Sequence, residues 1–179
     1  MNTMKLSTLL FAVGALPGIV LAAPTVTFQG EVTAQTCQAT INGETNSIVL
    51  LPTVTATELS GAGAKAGLTP FTISVSDCQA PTGDLQITTN FLGHNVTTGG
   101  NLGNIAASNP AGNVAIQLTS DAAGTTPIVL NGVTPVSGLV LSDGETSASY
   151  QFGAQYISED GGATAGAVTA VAEYTLSYL

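Results

Sequence analysis

Apolar and polar residues alternate with a period of two along much of the chain, which is the pattern typical of half-buried β-strands. The longest such stretch is residues 166–179, whose apolar positions are Val168, Ala170, Ala172, Tyr174, Leu176 and Tyr178. Strands in globular proteins are commonly only about 5 to 6 residues long. The pattern therefore predicts a long last strand with one edge that no later segment pairs, and such an edge promotes aggregation unless another strand covers it.

Shorter alternating stretches fill the middle of the chain. Their apolar positions are Phe71, Ile73 and Val75; Leu85 and Ile87; Val114, Ile116 and Leu118; Ile128 and Leu130; Leu139 and Leu141; and Tyr150, Phe152, Ala154 and Tyr156. Between them lie turn-forming Gly, Pro and Asn residues. Only residues 56–66 are expected to form a helical turn or two, since their glycines oppose a longer helix. Many short strands at this spacing predict one antiparallel β-sandwich or barrel.

The first 22 residues have the features of a secretory signal peptide, with Lys5 ahead of an apolar run from Leu6 to Leu21. A membrane anchor is the alternative, but a spanning helix needs about 20 apolar residues, and Pro17 and Gly18 interrupt this run. We therefore expect cleavage after Ala22, export, and no stable insertion in the membrane.

The charge of the chain excludes some partners. The formal net charge is −9, and removal of Lys5 with the signal peptide makes it −10 and leaves Lys65 as the only basic side chain. Nucleic acids and anionic membrane surfaces repel such a protein. No nucleic-acid partner is expected.

Two cysteines, Cys37 and Cys78, follow the export signal. In an oxidising compartment an isolated pair predicts a disulfide bond. The alternative is two free thiols or half of a metal site, which would need further ligands, and His94 is the only histidine in the chain.

The segment after the signal peptide is also an amphipathic strand, with Val26, Phe28, Gly30 and Val32 on one face. The run Phe28-Gln29-Gly30-Glu31-Val32, followed by Cys37, resembles the N-terminal segment of type 1 fimbrial subunits of the chaperone–usher (pilin) class. The resemblance extends over the chain after the signal peptide. It includes the strand that Cys78 closes, the segment from Tyr150 to Ile157, and the ending Tyr174-Thr175-Leu176-Ser177-Tyr178-Leu179.

The resemblance implies an incomplete immunoglobulin-like β-sandwich that lacks its last strand and is completed by a donor strand from another subunit. Its domains would be a signal peptide (1–22), a donor-strand extension (23–36) and a pilin domain (37–179). The implied function is that of a structural subunit of a fimbria (pilus), exported through the periplasm to the cell surface, which supports adhesion of the bacterial cell. The implied partners are other fimbrial subunits, a periplasmic chaperone and an outer-membrane usher.

The same resemblance implies the site residues. Val26, Phe28, Gly30 and Val32 would form the donor strand, and the acceptor groove, where the chaperone also binds, would include Tyr174, Leu176, Tyr178 and Leu179. Several abundant shaft subunits of this family have a longer donor segment, whereas only residues 23–27 precede Phe28 here. The position of the subunit in the fibre, rod or tip, therefore stays open, as do the receptor and the organism.

Candidate catalytic and metal-binding residues have structural interpretations. His94 is expected in an exposed loop, and Asn95-Val96-Thr97 matches a glycosylation acceptor that is too short to be specific. Ser142-Asp143 and Glu159-Asp160 lie beside glycines and are interpreted as turn residues. No catalytic motif, metal pattern or cofactor motif is recognised, and the protein is not expected to be an enzyme.

Two other functions are alternatives to a fimbrial subunit. A free exported β-sandwich that binds sugar or protein through its loops would be a stable monomer with a complete fold. A hydrolase is disfavoured by the scarcity of titratable groups, and an activity that depends on His94 would be its mark.

Overall fold

The computed structural model of the chain describes residues 32–35, 37–45 and 47–178. The strands in these ranges are β1 (Gln38–Ile41), β2 (Ala64–Ser76), β3 (Leu85–Gly93), β4 (Leu102–Gly103), β5 (Ala115–Thr119), β6 (Val133–Leu141), β7 (Ala148–Ser158) and β8 (Ala172–Ser177). In the same ranges, no helix has the length and apolar character needed to cross a membrane.

The strands form two antiparallel sheets. The first has the order β1-β2-β7-β5-β4 and the second has the order β6-β3-β8. Phe71 of β2 and Phe152 of β7, from the first sheet, share one core cluster with Phe91 of β3, from the second. Two sheets that pack face to face around a shared core form a β-sandwich, so the predicted all-β sandwich is confirmed.

Phe152 lies at the centre of the core and is only 1% exposed. Its ring stacks on Phe71 at a centroid distance of 5.6 Å. It also makes edge contacts with Phe91 at 5.3 Å and with Tyr150 at 5.0 Å. Beside this cluster, Gly138 has a φ of +134°, and a Cβ there would lie 2.5 Å from the Tyr150 ring. A glycine is therefore required where β6 passes Tyr150.

The disulfide between Cys37 and Cys78 is present in the structure. Cys37 precedes β1 and Cys78 follows β2, and the two strands pair from Gln38 opposite Ser76 onwards. The bond joins residues 41 positions apart, and closure of a loop of this length is worth about 4 kcal/mol on the chain-entropy account. The predicted pairing is confirmed.

The middle strands follow the predicted alternation, with two differences. The inward residues of β2, β3, β6 and β7 named above are mostly buried, as expected. β5 is buried on both faces rather than one, because Gln117 on its outer face bonds to Asn101 and Gln155. Residues 128–130 are not a strand, although Ile128 and Leu130 are buried.

The predicted helical turns at 56–66 are only partly present. Three backbone hydrogen bonds between residues three apart form a single turn over 55–60. The chain then reverses at Gly63, where φ is +72°, and Ala64 already belongs to β2. A long pairing of β2 with β7 takes the rest of the segment into the sheet.

Candidate functional site

Among the described strands, the last one has a hydrogen-bonded neighbour on one side only. β8 lies at the edge of the second sheet, and β3 is its one partner among the described strands. The backbone N–H of His94 donates to the carbonyl oxygen of Val171. Because successive residues of a strand point their backbone groups to opposite sides, Glu173 and Thr175 face β3 as Val171 does. Ala172, Tyr174 and Leu176 therefore point their N–H and C=O groups away from the sheet.

This open edge begins before β8 itself. The backbone groups of Val168 and Ala170 make no hydrogen bond to any described residue, and they have the same parity as Tyr174. We define the open edge by the alternate residues Val168, Ala170, Ala172, Tyr174 and Leu176. The predicted strand over 166–179 is therefore wrong in extent, since only Ala172–Ser177 is paired in the sheet, but its alternation is preserved through residues 168–176.

The inward side chains of the open edge are half-buried. They pack against the cluster that contains Phe152 and Phe91, yet none of them reaches the full burial of those two rings. Burial raises the pKa of the Tyr174 hydroxyl above its usual value of 10.0, so this group stays neutral. The open edge therefore presents apolar side chains that a further strand can still cover.

Residues 47–54 form a second unpaired segment, which we call the wall. Val49 and Leu51 pack on the same core cluster as the open edge. The backbone groups of residues 47–54 make no hydrogen bond to described residues. Ile48 and Leu50 point outwards and are 87% and 84% exposed. The sequence patterns above did not predict the wall. Its only signal in the sequence is the apolar run Ile48-Val49-Leu50-Leu51 before Pro52.

The end of the wall, at Val54, and the first residue of the open edge, Val168, both line a pocket of about 260 Å³, together with Tyr156 and the neighbouring loops. A capped turn follows the wall. The Thr55 N–H donates to the Glu58 carboxylate at 2.7 Å, and the Thr55 hydroxyl does so at 2.8 Å. These bonds hold the pKa of Glu58 below its usual value. The pattern Thr-x-x-Glu is a capping box, and it fixes the chain at this end of the wall.

A side chain that the sequence did not point to holds the first part of the open edge. The Asn104 Nδ2 group donates to the carbonyl oxygens of Ala111, at 3.0 Å, and Ala167, at 2.8 Å. Its Oδ1 accepts from the N–H groups of Ala106 and Thr169, both at 3.0 Å. An asparagine in a loop has no sequence pattern that would reveal such contacts.

Three of the predicted acceptor residues are described, and they contact two different clusters, while their acceptor role stays a prediction. Tyr174 packs on the main core, Tyr178 packs on the smaller cluster around Val75 and Leu139, and Leu176 contacts both. Val32 is described and fully exposed. Val26, Phe28, Gly30 and Leu179 lie outside the described residues, so the donor strand and the role of Leu179 stay predictions.

The remaining candidates have structural roles. His94 lies in a bend just after β3, as predicted, with its Nε2 3.0 Å from the Glu173 carboxylate on the exposed surface. The Asp143 carboxylate accepts from the Gly83 N–H at 2.9 Å and so joins two turns. Glu159 accepts from the Thr97 hydroxyl and the Asn101 amide. Among the described residues there is no group of three or more His, Cys, Asp or Glu placed to hold a metal.

The chemistry of this site is therefore that of backbone pairing. An unpaired strand edge with an apolar inner face binds an extended peptide through main-chain hydrogen bonds, and side-chain pockets give specificity.

Comparison with known proteins gives the class of this sandwich. The P pilus rod subunit PapA superimposes with a TM-score of 0.57 at 17% identity, over 79% of this chain and 99% of that chain. A Burkholderia pseudomallei antigen and type I fimbria protein gives a TM-score of 0.56 at 27% identity, over 81% of this chain and 100% of that one. The fold is the immunoglobulin-like sandwich of chaperone–usher pilins.

Sequence comparison agrees. The F17 fimbrial protein of Escherichia coli is 38% identical over 158 residues, which are 86% of this chain and 86% of that protein. The family model described as "Fimbrial protein" matches residues 26–179. The chain therefore belongs to the fimbrial protein family, as the sequence resemblance implied, and is a structural subunit of a surface fimbria.

Proposed function

We propose that this subunit polymerises by donor-strand exchange, in which the open edge of one copy takes residues 23–32 of the next copy. The observation that carries the proposal is the edge of β8 that no described strand pairs, whose half-buried apolar side chains pack on the same core cluster as the wall. A strand between the wall and the open edge has backbone partners on both of its sides. Residues 23–32 fit this role because Val26, Phe28, Gly30 and Val32 alternate with polar residues.

The energy of such a contact comes from burial and backbone pairing. Each Val or Phe side chain that becomes fully buried contributes about 1.5–3 kcal/mol, and each ladder hydrogen bond adds about 0.5–1.5 kcal/mol net. Coulomb attraction between copies does not contribute, because the exported chain has Lys65 as its only basic side chain. The free energy gained from apolar burial and backbone hydrogen bonds must therefore exceed the electrostatic repulsion between acidic copies.

Donor and acceptor are different parts of the chain, so each contact is head-to-tail. Contacts of this type leave a free donor at one end and a free acceptor at the other, and they propagate into a filament. This accounts for a fibre built from copies or close relatives of one chain. Polymerisation of this kind needs no catalytic step and no cofactor.

The route to the surface completes the proposal. Residues 1–22 direct export, residues 23–36 are the donor extension, and residues 37–179 form the pilin domain. In the periplasm a chaperone lends a strand to the open edge and contacts Tyr178 and Leu179. An outer-membrane usher then exchanges that strand for the donor of the next subunit, and the assembled fimbria supports adhesion of the cell.

Two half-defective variants test the mechanism. Phe28→Arg disables the donor and Ala172→Arg blocks the open edge, so neither variant should polymerise alone. A mixture of the two should form a dimer and nothing larger, because one intact donor meets one intact edge. The measurement is electrophoresis of unboiled, non-reduced samples, in which the natural chain should give a ladder.

A matched control is Thr175→Arg, which places the same charge on the outer face of β8. This variant should still give a ladder. A full ladder from Phe28→Arg alone would refute the donor assignment. A natural chain that stays a stable monomer would instead favour a free binding module.

A further inference from the structure

The open edge is longer than the strand that contains it. β8 contributes Ala172, Tyr174 and Leu176, whereas Val168 and Ala170 precede its first residue. At about 3.4 Å per residue, the paired part from Ala172 to Leu176 spans about 14 Å, and the edge from Val168 to Leu176 spans about 27 Å. Something other than the sheet must therefore hold the first half of the edge straight.

β3 cannot hold the first half of the open edge. It ends at Gly93, and after it the chain turns at Asn95, where φ is +53°. The segment after β4 takes its place, since the Ile105 N–H donates to the Thr169 carbonyl oxygen at 2.8 Å. Beside Ile105, the Asn104 side chain donates a hydrogen bond to the carbonyl oxygen of Ala167 and accepts one from the N–H of Thr169.

These contacts determine which way the backbone faces. The backbone polar groups of residues 167 and 169 point away from the open edge. They are bound there by Asn104, Ile105 and the loop at Asn109–Ala111. Because neighbouring residues of an extended chain point to opposite sides, Val168 and Ala170 are left to face outwards in line with Ala172. An amide is the side chain suited to this position, since it donates to two carbonyls and accepts from two N–H groups at once.

We propose that Asn104 is a positioning residue that extends the acceptor edge from the three outward residues of β8 to all five residues of the open edge. The partner is then a strand of about nine residues, which matches the length of the alternating segment 23–32. This inference rests on the proposed donor-strand function. The Asn104 side chain then determines how many residues of a donor strand can pair with the open edge.

The test is amide hydrogen exchange measured by NMR. The acceptor is the full chain carrying Phe28→Arg, and the probe is a synthetic peptide of residues 23–36 with the natural sequence. With Asn104 intact, the peptide should slow exchange at all five open-edge amides, from Val168 to Leu176. In Asn104→Asp, a carboxylate faces the carbonyls of Ala111 and Ala167, so protection at Val168 and Ala170 should fall at least tenfold while that at Ala172, Tyr174 and Leu176 is kept.

Two further variants make the result specific. Asn131→Asp adds the same charge at an exposed position in the turn before β6 and should leave all five amides protected. Asn104→Ala removes the contacts without adding charge, and it replaces Asn104→Asp if that variant fails to fold. The peptide bound to the parent acceptor gives the reference.

The outcomes distinguish the positioning role of Asn104 from the donor-strand function on which it rests. Five protected amides in both Asn104 variants would overturn the positioning role, and so would an equal loss at all five, which would indicate a general loss of stability. If the peptide protects no amide even in the parent acceptor, the donor-strand function itself fails, and the positioning role fails with it.

Discussion

β7 and β8 have the same sequence pattern but different surroundings. Each places aromatic and aliphatic side chains at alternate positions, such as Phe152 and Ala154 in β7, or Tyr174 and Leu176 in β8. β7 is paired on both sides, with β2 and β5. Phe152 and Ala154 are accordingly only 1% and 4% exposed. β8 is paired by a described strand on one side only, and its inward side chains are half-buried.

The difference shows that alternation specifies which face of a strand points inwards but not how completely that face is covered. Coverage depends on what lies beside and above the strand. The β7 region is completed within the chain, whereas in the β8 region part of the available burial and half of the edge hydrogen bonds require another strand. The stability of the two regions should therefore respond differently to a donor peptide.

The largest effect is expected from Phe152→Ala. This change removes three ring contacts of a side chain that is only 1% exposed without a partner, and loss of a buried Phe costs about 3–5 kcal/mol. Urea unfolding of the Phe28→Arg chain, followed with and without the 23–36 peptide, should give nearly the same loss in both. A loss that disappears when the peptide is bound would contradict the view that β7 is complete.

A smaller effect that depends on the partner is expected from Tyr174→Ala. The side chain is half-buried in the free chain, so the loss there should be roughly half of the 1.5–3 kcal/mol associated with full burial of a large apolar side chain. With the peptide bound the loss should increase, because the donor completes the burial. The same urea titrations measure it. Thr175→Ala, on the outer face, is the control and should stay within about 0.5 kcal/mol; equal losses in the free and bound chain would remove the contrast between the strands.

The smallest effect is expected from pH at Asp121, in a loop on the β7 side. The N–H of Thr125, together with that of Thr126, lowers the pKa of this exposed carboxylate from 3.8 to about 2. A lowered pKa stabilises the folded state above pH 3.8, and this contribution is lost as the pH falls through about 2. The Tm difference between the Phe28→Arg chain and the same chain with Asp121→Asn should therefore be present at pH 6 and largely vanish near pH 2. Peptide binding at the open edge should not change, and a change would mean that the two regions are coupled.

The sequence by itself determined the class of the fold and much of its detail. Alternation of Phe71, Ile73 and Val75 predicted β2, and the residues from Tyr150 to Tyr156 predicted β7, because side chains of a strand alternate regardless of context. The single cysteine pair in an exported chain predicted the disulfide. The N-terminal segment around Phe28 and the ending at Tyr178 indicated the family.

The tertiary structure alone decided which edges are paired. It limited the last strand to Ala172–Ser177 because β3 ends at Gly93. It also buried both faces of β5, where Gln117 donates to Asn101 and accepts from Gln155. It also placed residues 47–54 beside the core and brought Asn104 to Thr169. Pairing and burial depend on contacts between residues far apart in the chain, whereas a local pattern reports only the residues next to one another.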